Sequence, residues 1–314
     1  MSLDITILKK GIDSKHVLSA CFFTMKDSYR SVSKYERNLV NFLQMSKNLP
    51  TFEVRVYTDD SGKDFLLKIA EGYPSLSVYH YNFEPLREEV GHIGTFGTIV
   101  RFLPIFEDLE TVWISDIDIP DRILDKSILS LMDKHNCPVF YDSALCYNER
   151  KVYGRKHTIV AYRMIFKIKF PKSLLTRFIN KLVNGNLSEI VDLLNQANKL
   201  KPPSVVPYGI DEVFLNESIY NYLKRHKVRI ICNKMFFLAE GILIQAGLTK
   251  EEINFAVSFW KNPTKHQFSK FKHIVVKKIP SITDKYPCLI ELLEKIEVLP
   301  FNMEHRFIVS GDDL

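Results

Sequence analysis

The chain has 314 residues, 46% of them apolar and 25% charged, which suits a soluble globular protein with a large core and excludes disorder. Its net charge of +6, from 43 basic and 37 acidic residues, fits a polyanionic small ligand such as a nucleotide and is too weak for a nucleic-acid binder. The cysteines Cys21, Cys137, Cys146, Cys232 and Cys288 form no C-x-x-C pair, no signal peptide is visible, and no stretch reaches the roughly 18 apolar residues of a membrane span, so a cytoplasmic protein with reduced thiols is expected.

Residues 16–25 form a compact apolar run that predicts a first buried strand. Tyr35, Leu39, Phe42 and Leu43 recur at helical spacing, and Pro50 closes that helix. A second strand is expected at 52–57, ending in Thr58-Asp59-Asp60-Ser61-Gly62, a helix at 65–70 and a third strand at 76–81. This alternation points to βαβ units, a mostly parallel sheet and an α/β fold. Phe96, Ile99, Val100, Leu103 and Phe106 mark a helical face with Thr95 as its expected N-cap, and Pro104 should kink or shorten it. Arg101 lies beside that face, on the helix leading to the next strand.

The strand Val112-Trp113-Ile114 runs into Ser115-Asp116-Ile117-Asp118. Alternate strand residues point the same way, so Asp116 and Asp118 can converge at the carboxyl end of the sheet, where α/β proteins bind ligands. Two carboxylates there repel unless a cation joins them, and oxygen donors favour Mg²⁺ or Mn²⁺. An Asp pair that merely ends a strand in a turn is the alternative.

A helix at 123–132, a strand at 138–141, a basic loop at 142–157 and a strand at 158–166 follow. Residues 172–200 read as a helical hairpin split at Asn184-Gly185-Asn186, and Asp211 and Glu212 open a further helical pattern. Acids in a first helical turn also simply complement the helix dipole. A strand is expected at 228–237, helices at 251–260 and 288–298, and a lysine-rich segment at 261–278 with His266 and His273. A single domain is expected, with no repeat or linker. No P-loop or dinucleotide-binding glycine string is present.

Arg101-Phe-Leu-Pro, the Asp116-Ile-Asp118 strand and Asp211-Glu-Val-Phe-Leu-Asn216 resemble, in order and spacing over about residues 16–240, the GT-A fold glycosyltransferases of the family 8-like group. Glu212 replaces the group's usual Gln, residues 158–166 lack its Asn-Ser-Gly core, and its carboxyl-terminal His-x-x-Gly-x-x-Lys-Pro-Trp element is absent. The resemblance implies a GT-A-like, Rossmann-type sheet flanked by helices, with a helical insertion. Residues 1–120 would form the nucleotide-binding half, 121–240 the sugar and acceptor half, and 241–314 a divergent segment. It implies a UDP-sugar donor, a glycan, protein or small-molecule acceptor, and Mn²⁺ or Mg²⁺ held by Asp118 and Asp116, with Asp116 otherwise on the ribose. Arg101 would touch the nucleotide or orient the Asp pair; Phe23, Thr24, Tyr29 and Asp59 would line the base site. An Asx turn is the competing reading of Asp59, and a solvated helix arginine that of Arg101. Asp211 or Glu212 would serve as base in an inverting enzyme, or stabilise the donor sugar in a retaining one. His266 and His273 are metal-ligand candidates by position only; His92 and His157 read as structural. A non-catalytic nucleotide-sugar or glycan-binding protein and a nucleotidyltransferase are the alternatives.

Overall fold

Apolar runs too short for a helix alternate with runs of helical spacing through the first 140 residues, and the backbone follows that alternation. The computed structural model describes residues 2–25, 31–118, 127–145, 158–159, 161, 163–198, 203–235, 240–261, 264–284, 293 and 306–310. Strands β1 (Asp4–Lys9) and β2 (His16–Cys21) precede helix α1 (Val32–Ser46), strand β3 (Glu53–Thr58), helix α2 (Lys63–Ala70) and strand β4 (Leu76–Asn82). A short helix α3 (Gly97–Val100) and a 3₁₀ turn (Leu103–Phe106) lead into β5 (Thr111–Ile114). Then come α4 (Ser127–Lys134), β6 (Val139–Leu145), β7 (Thr158–Ile159), β8 (Met164–Phe166), α5 (Ser173–Val183), α6 (Ser188–Asn198), α7 (Ile210–Phe214), a π-helical turn (Leu215–Ile219), α8 (Tyr220–Arg225) and β9 (Arg229–Met235). Helices α9 (Glu240–Gln245), α10 (Lys250–Lys261) and α11 (Lys265–Lys278) and strand β10 (Arg306–Ser310) complete the chain.

The chain divides into two compact units, the first made of residues 1–142, 160–231 and 308–313, the second of 143–159, 232–307 and 314.

In the first unit β4, β3, β2 and β5 lie side by side in that order and pair in parallel. Both faces of these strands are covered: every residue of β3 and β5 is buried. β2 and β5 accordingly read as mainly apolar runs, whereas β3 alternates and buries Glu53 and Arg55, which pair at 2.9 Å. Helix α1 buries Leu39, Phe42 and Leu43, and α2 buries Leu66, against Leu18, Val54, Val56, Val78 and Trp113. Each such side chain contributes about 1.5–3 kcal/mol when fully buried.

The sheet is mixed: the expected parallel strands form its β4-β3-β2-β5 part, and antiparallel strands adjoin them. β1 joins β4, β8 joins β5, and β6 joins both β8 and β7, all antiparallel. The expected strand at 158–166 is two short strands with residues 160–163 between them. β1 has no sequence signature, because it is an edge strand whose first five residues are exposed. Pro104 acts as expected: α3 stops at Val100, and the proline sits in the first positions of the following 3₁₀ turn.

The second unit has its own core of Leu243, Ile253, Ala256, Phe259, Phe271, Ile274 and Val275. Phe259 and Phe271 stack at 4.4 Å between centroids, which locks α10 to α11. α11 exists because Phe271, Ile274 and Val275 supply an apolar face within the lysine-rich segment. The expected helix at 288–298 lies, apart from Leu293, outside the described residues. Among the described residues no helix is long and apolar enough to cross a membrane.

Candidate functional site

From β2 the chain moves to β3 and β4 on one side and later to β5 on the other. The carboxyl ends of β2 and β5 therefore flank a topological switch point, where connecting loops diverge and leave a crevice. Register brings the two ends level: Ser19 pairs with Ile114, and Ser115 N–H donates to the Ser19 carbonyl at 3.0 Å. Phe22, Phe23 and Thr24 leave β2 here, Asp116 and Asp118 leave β5, and Asp59 leaves β3.

Arg101 is the hub, almost wholly buried just after α3. Ser19 Oγ donates to the Arg101 carbonyl at 2.6 Å and fixes the backbone there. The guanidinium donates to an oxygen of Asp116, to Asp211 Oδ2 at 2.8 Å and to the Ala161 carbonyl at 3.0 Å. A buried arginine is tolerable only when paired in this way. Burial alone would lower its pKa, but the Asp116 and Asp211 carboxylates outweigh burial and hold it above the usual arginine range. Thus Arg101, Asp116 and Asp211, up to 110 residues apart in sequence, form one cluster.

The two acids differ. Burial pushes the Asp211 carboxyl above the usual carboxylate range; Arg101 opposes that rise and Asp116 adds to it. The Asp116 side chain is 30% exposed and opens toward solvent, where Arg101 does not. Asp118 and Glu212 are half-buried. Cys21, at the end of β2, is inert as a nucleophile, because burial pushes its thiol up to about 12.

Asp211 is positioned by contacts between the segment before α3 and the segment before α7. The Thr95 N–H donates to the Val206 carbonyl at 2.9 Å, and Thr95 Oγ1 donates to the Pro207 carbonyl at 2.9 Å. Thr95 is therefore a tether and not the expected N-cap, a position that Phe96 fills. Gly94, at φ +57°, permits the close approach, since a Cβ there would fall on the Val206 oxygen. Gly209, at φ +91°, then turns the chain into α7, whose first turn carries Asp211 and Glu212. The Glu212 N–H donates back to Asp211 Oδ1 at 3.1 Å.

Asp59 faces inward. Oδ1 accepts from the Ser61 N–H at 3.0 Å and from the Ser61 hydroxyl; Oδ2 accepts from the Tyr81 hydroxyl at 3.3 Å and pairs with His92 Nδ1 at 3.1 Å. The Phe83 N–H donates to His92 Nε2 at 2.9 Å, so Nδ1 carries the proton given to Asp59. Burial raises the Asp59 carboxyl, yet the His92 and Ser61 hydrogen bonds prevail and hold it below its ordinary value. Ser61 passes this order on, its hydroxyl accepting from the Thr24 N–H at 2.9 Å. The Asx turn expected at Asp59 is present, and it braces the loop that carries Phe23 and Thr24. No signal in the sequence pointed to Tyr81 or to the Ala161 carbonyl, and His92 read only as structural.

Gly97 packs its Cα against Phe23 and Tyr81; a Cβ there would sit 2.5 Å from each. Tyr29 and His157 lie outside the described residues. His266 and His273 are exposed on α11, in the second unit. Among the described residues no group of three or more His, Cys, Asp or Glu side chains is arranged to hold a metal ion. The chain matches no known protein-family model and no curated protein.

Proposed function

We propose that the protein is a metal-dependent glycosyltransferase moving a sugar, a hexose or close relative, from a nucleoside diphosphate, UDP foremost, to an acceptor hydroxyl. The observation that carries this reading is the Arg101 bridge between Asp116 and Asp211 at the carboxyl ends of β2 and β5. The donor set fits a hard divalent cation. Mg²⁺ is commonly held by one or two carboxylates and completed by substrate phosphates and water, and Mn²⁺ favours the same oxygen donors, so two carboxylates suffice. Asp116 and Asp118 would hold the ion, which supplies charge neutralisation for the departing diphosphate.

The chain's own residues supply the rest. Arg101 keeps Asp116 oriented, and at the same time aligns Asp211. Asp211, with its raised pKa, suits accepting the proton of an acceptor hydroxyl, or facing the positive charge of an oxocarbenium-like sugar if configuration is retained. Glu212 stands next to it on the same turn. Phe23 and Thr24, braced by Ser61 and Asp59, suit the nucleotide side of the crevice.

Thermal-shift and donor-hydrolysis measurements with a panel of nucleotide sugars, with Mn²⁺ or with chelator, test this. UDP with Mn²⁺ raises the melting temperature, and Asp118→Ala removes the shift. An equal shift with chelator present overturns the metal role of the Asp pair. No shift with any nucleotide sugar overturns the whole reading, and binding without turnover by water or any acceptor favours a binding protein.

A further inference from the structure

We infer that the exposed face of α11 docks the protein on an anionic membrane surface. The helix carries five lysines and two histidines and no acidic residue. Its apolar side, Phe271, Ile274 and Val275, is used up in the second unit's core. His266, Lys270, His273 and Lys277 are exposed at spacings of four, three and four, which aligns them in one row, with Lys265 exposed beside it. The stretch from Lys265 to Lys277 spans roughly 18 Å at about 1.5 Å per residue. No described carboxylate is ion-paired with Lys265, Lys270 or Lys277. Lys270 holds its ammonium 4.4 Å from the centre of the Phe255 ring, and the rest of the row faces water.

The charge balance of the chain has the same centre. Of the 43 basic and 37 acidic residues, 15 basic and 9 acidic fall in the second unit, so the whole +6 resides there and the first unit is neutral. Exposed lysines along one helix match a sheet of lipid phosphates by charge. One feature favours lipid over nucleic acid. Single-stranded nucleic acid would want exposed rings to stack on, whereas Phe255, Phe259, Phe268 and Phe271 are packed into or against the core.

Co-sedimentation of the full chain with vesicles of phosphatidylcholine, with and without phosphatidylserine, tests the inference. Binding is expected only with phosphatidylserine and is lost near 1 M salt, where the screening length falls to about 3 Å. Lys265→Gln, Lys270→Gln and Lys277→Gln together keep the side-chain stems and lower partitioning by roughly a hundredfold, at about fivefold per lysine. Removing three exposed lysines of the first unit, Lys34→Gln, Lys68→Gln and Lys172→Gln, leaves it unchanged. Unaltered melting shows that each variant is folded. No vesicle binding, equal binding to phosphatidylcholine alone, an equal loss in the first-unit control, or tighter binding to mixed-sequence DNA at the same salt overturns the inference.

Discussion

Arg101 serves two acids, and its removal exposes the difference between them. Arg101→Met fills similar space but strands Asp211 in the interior, which should cost about 3–5 kcal/mol in chemical denaturation. Asp211→Asn keeps an oxygen for the guanidinium and removes a charge that burial disfavours, so stability should change by less than about 1 kcal/mol while turnover is lost. The pairing also fixes how stability responds to acid. Asp211 has a raised pKa, so its contribution is greatest below the ordinary carboxylate range and declines as pH rises. Asp59 and Glu53 have lowered pKa values, so theirs is present above about pH 4 and is lost as pH falls. Urea denaturation between neutral and acid pH should show falling stability below about pH 4, and Asp59→Asn should flatten that fall. A slope unchanged in the variant would remove Asp59 from the account. The sequence made Asp116, Asp118, Arg101 and Asp211 visible as residue types at a strand end, on a helix and at a helix start. It could not show that an oxygen of Asp116 is given to Arg101, because a contact across 15 residues of turn and strand has no local signature.

At the level of elements, local chemistry explains most of what was legible. β2 and β5 announce themselves because covering both faces favours apolar runs, and α1 and α2 because one face alone is buried. β1 and α11 were missed for opposite reasons: an exposed edge strand carries no burial pattern, and abundant lysines mask the apolar stripe of α11. The segment from Gly94 to Arg101 is where element and site meet. Thr95 ties it to residues 206 and 207, so the backbone of Gly94 sets the distance between the Arg101 helix and the Asp211 helix. Gly94→Ala places a Cβ on the Val206 carbonyl at a φ that alanine tolerates poorly. The expected outcome is a loss of more than about 2 kcal/mol together with weakened UDP binding, read by thermal shift with and without ligand. Gly185→Ala is also at positive φ but meets nothing within 4 Å, so it isolates the backbone cost and should leave UDP binding intact.

For the whole molecule, two cores and a one-sided charge distribution suggest a division of labour. Every residue proposed for the donor site belongs to the first unit, which is electrically neutral, and the lysine-rich helix belongs to the second. A ligand that binds only the native state stabilises what it touches by mass action, about 2.7 kcal/mol at a hundred times its dissociation constant. Hydrogen exchange makes this local. With UDP and Mn²⁺ at that excess, amides of β2, β5 and α7 that exchange through opening of the first unit should slow by roughly a hundredfold. Amides of α10 and α11 hydrogen-bond within helices built on a separate core, and their rates should stay as they are. Phosphatidylserine vesicles should produce the reverse pattern, protecting Lys265–Lys278 and leaving β2 and β5 unchanged. Nucleotide protection in α11 would place the donor phosphates on the lysine row and move the site out of the β2–β5 crevice. Vesicle protection at the β2 and β5 ends would mean that the crevice itself faces the lipid.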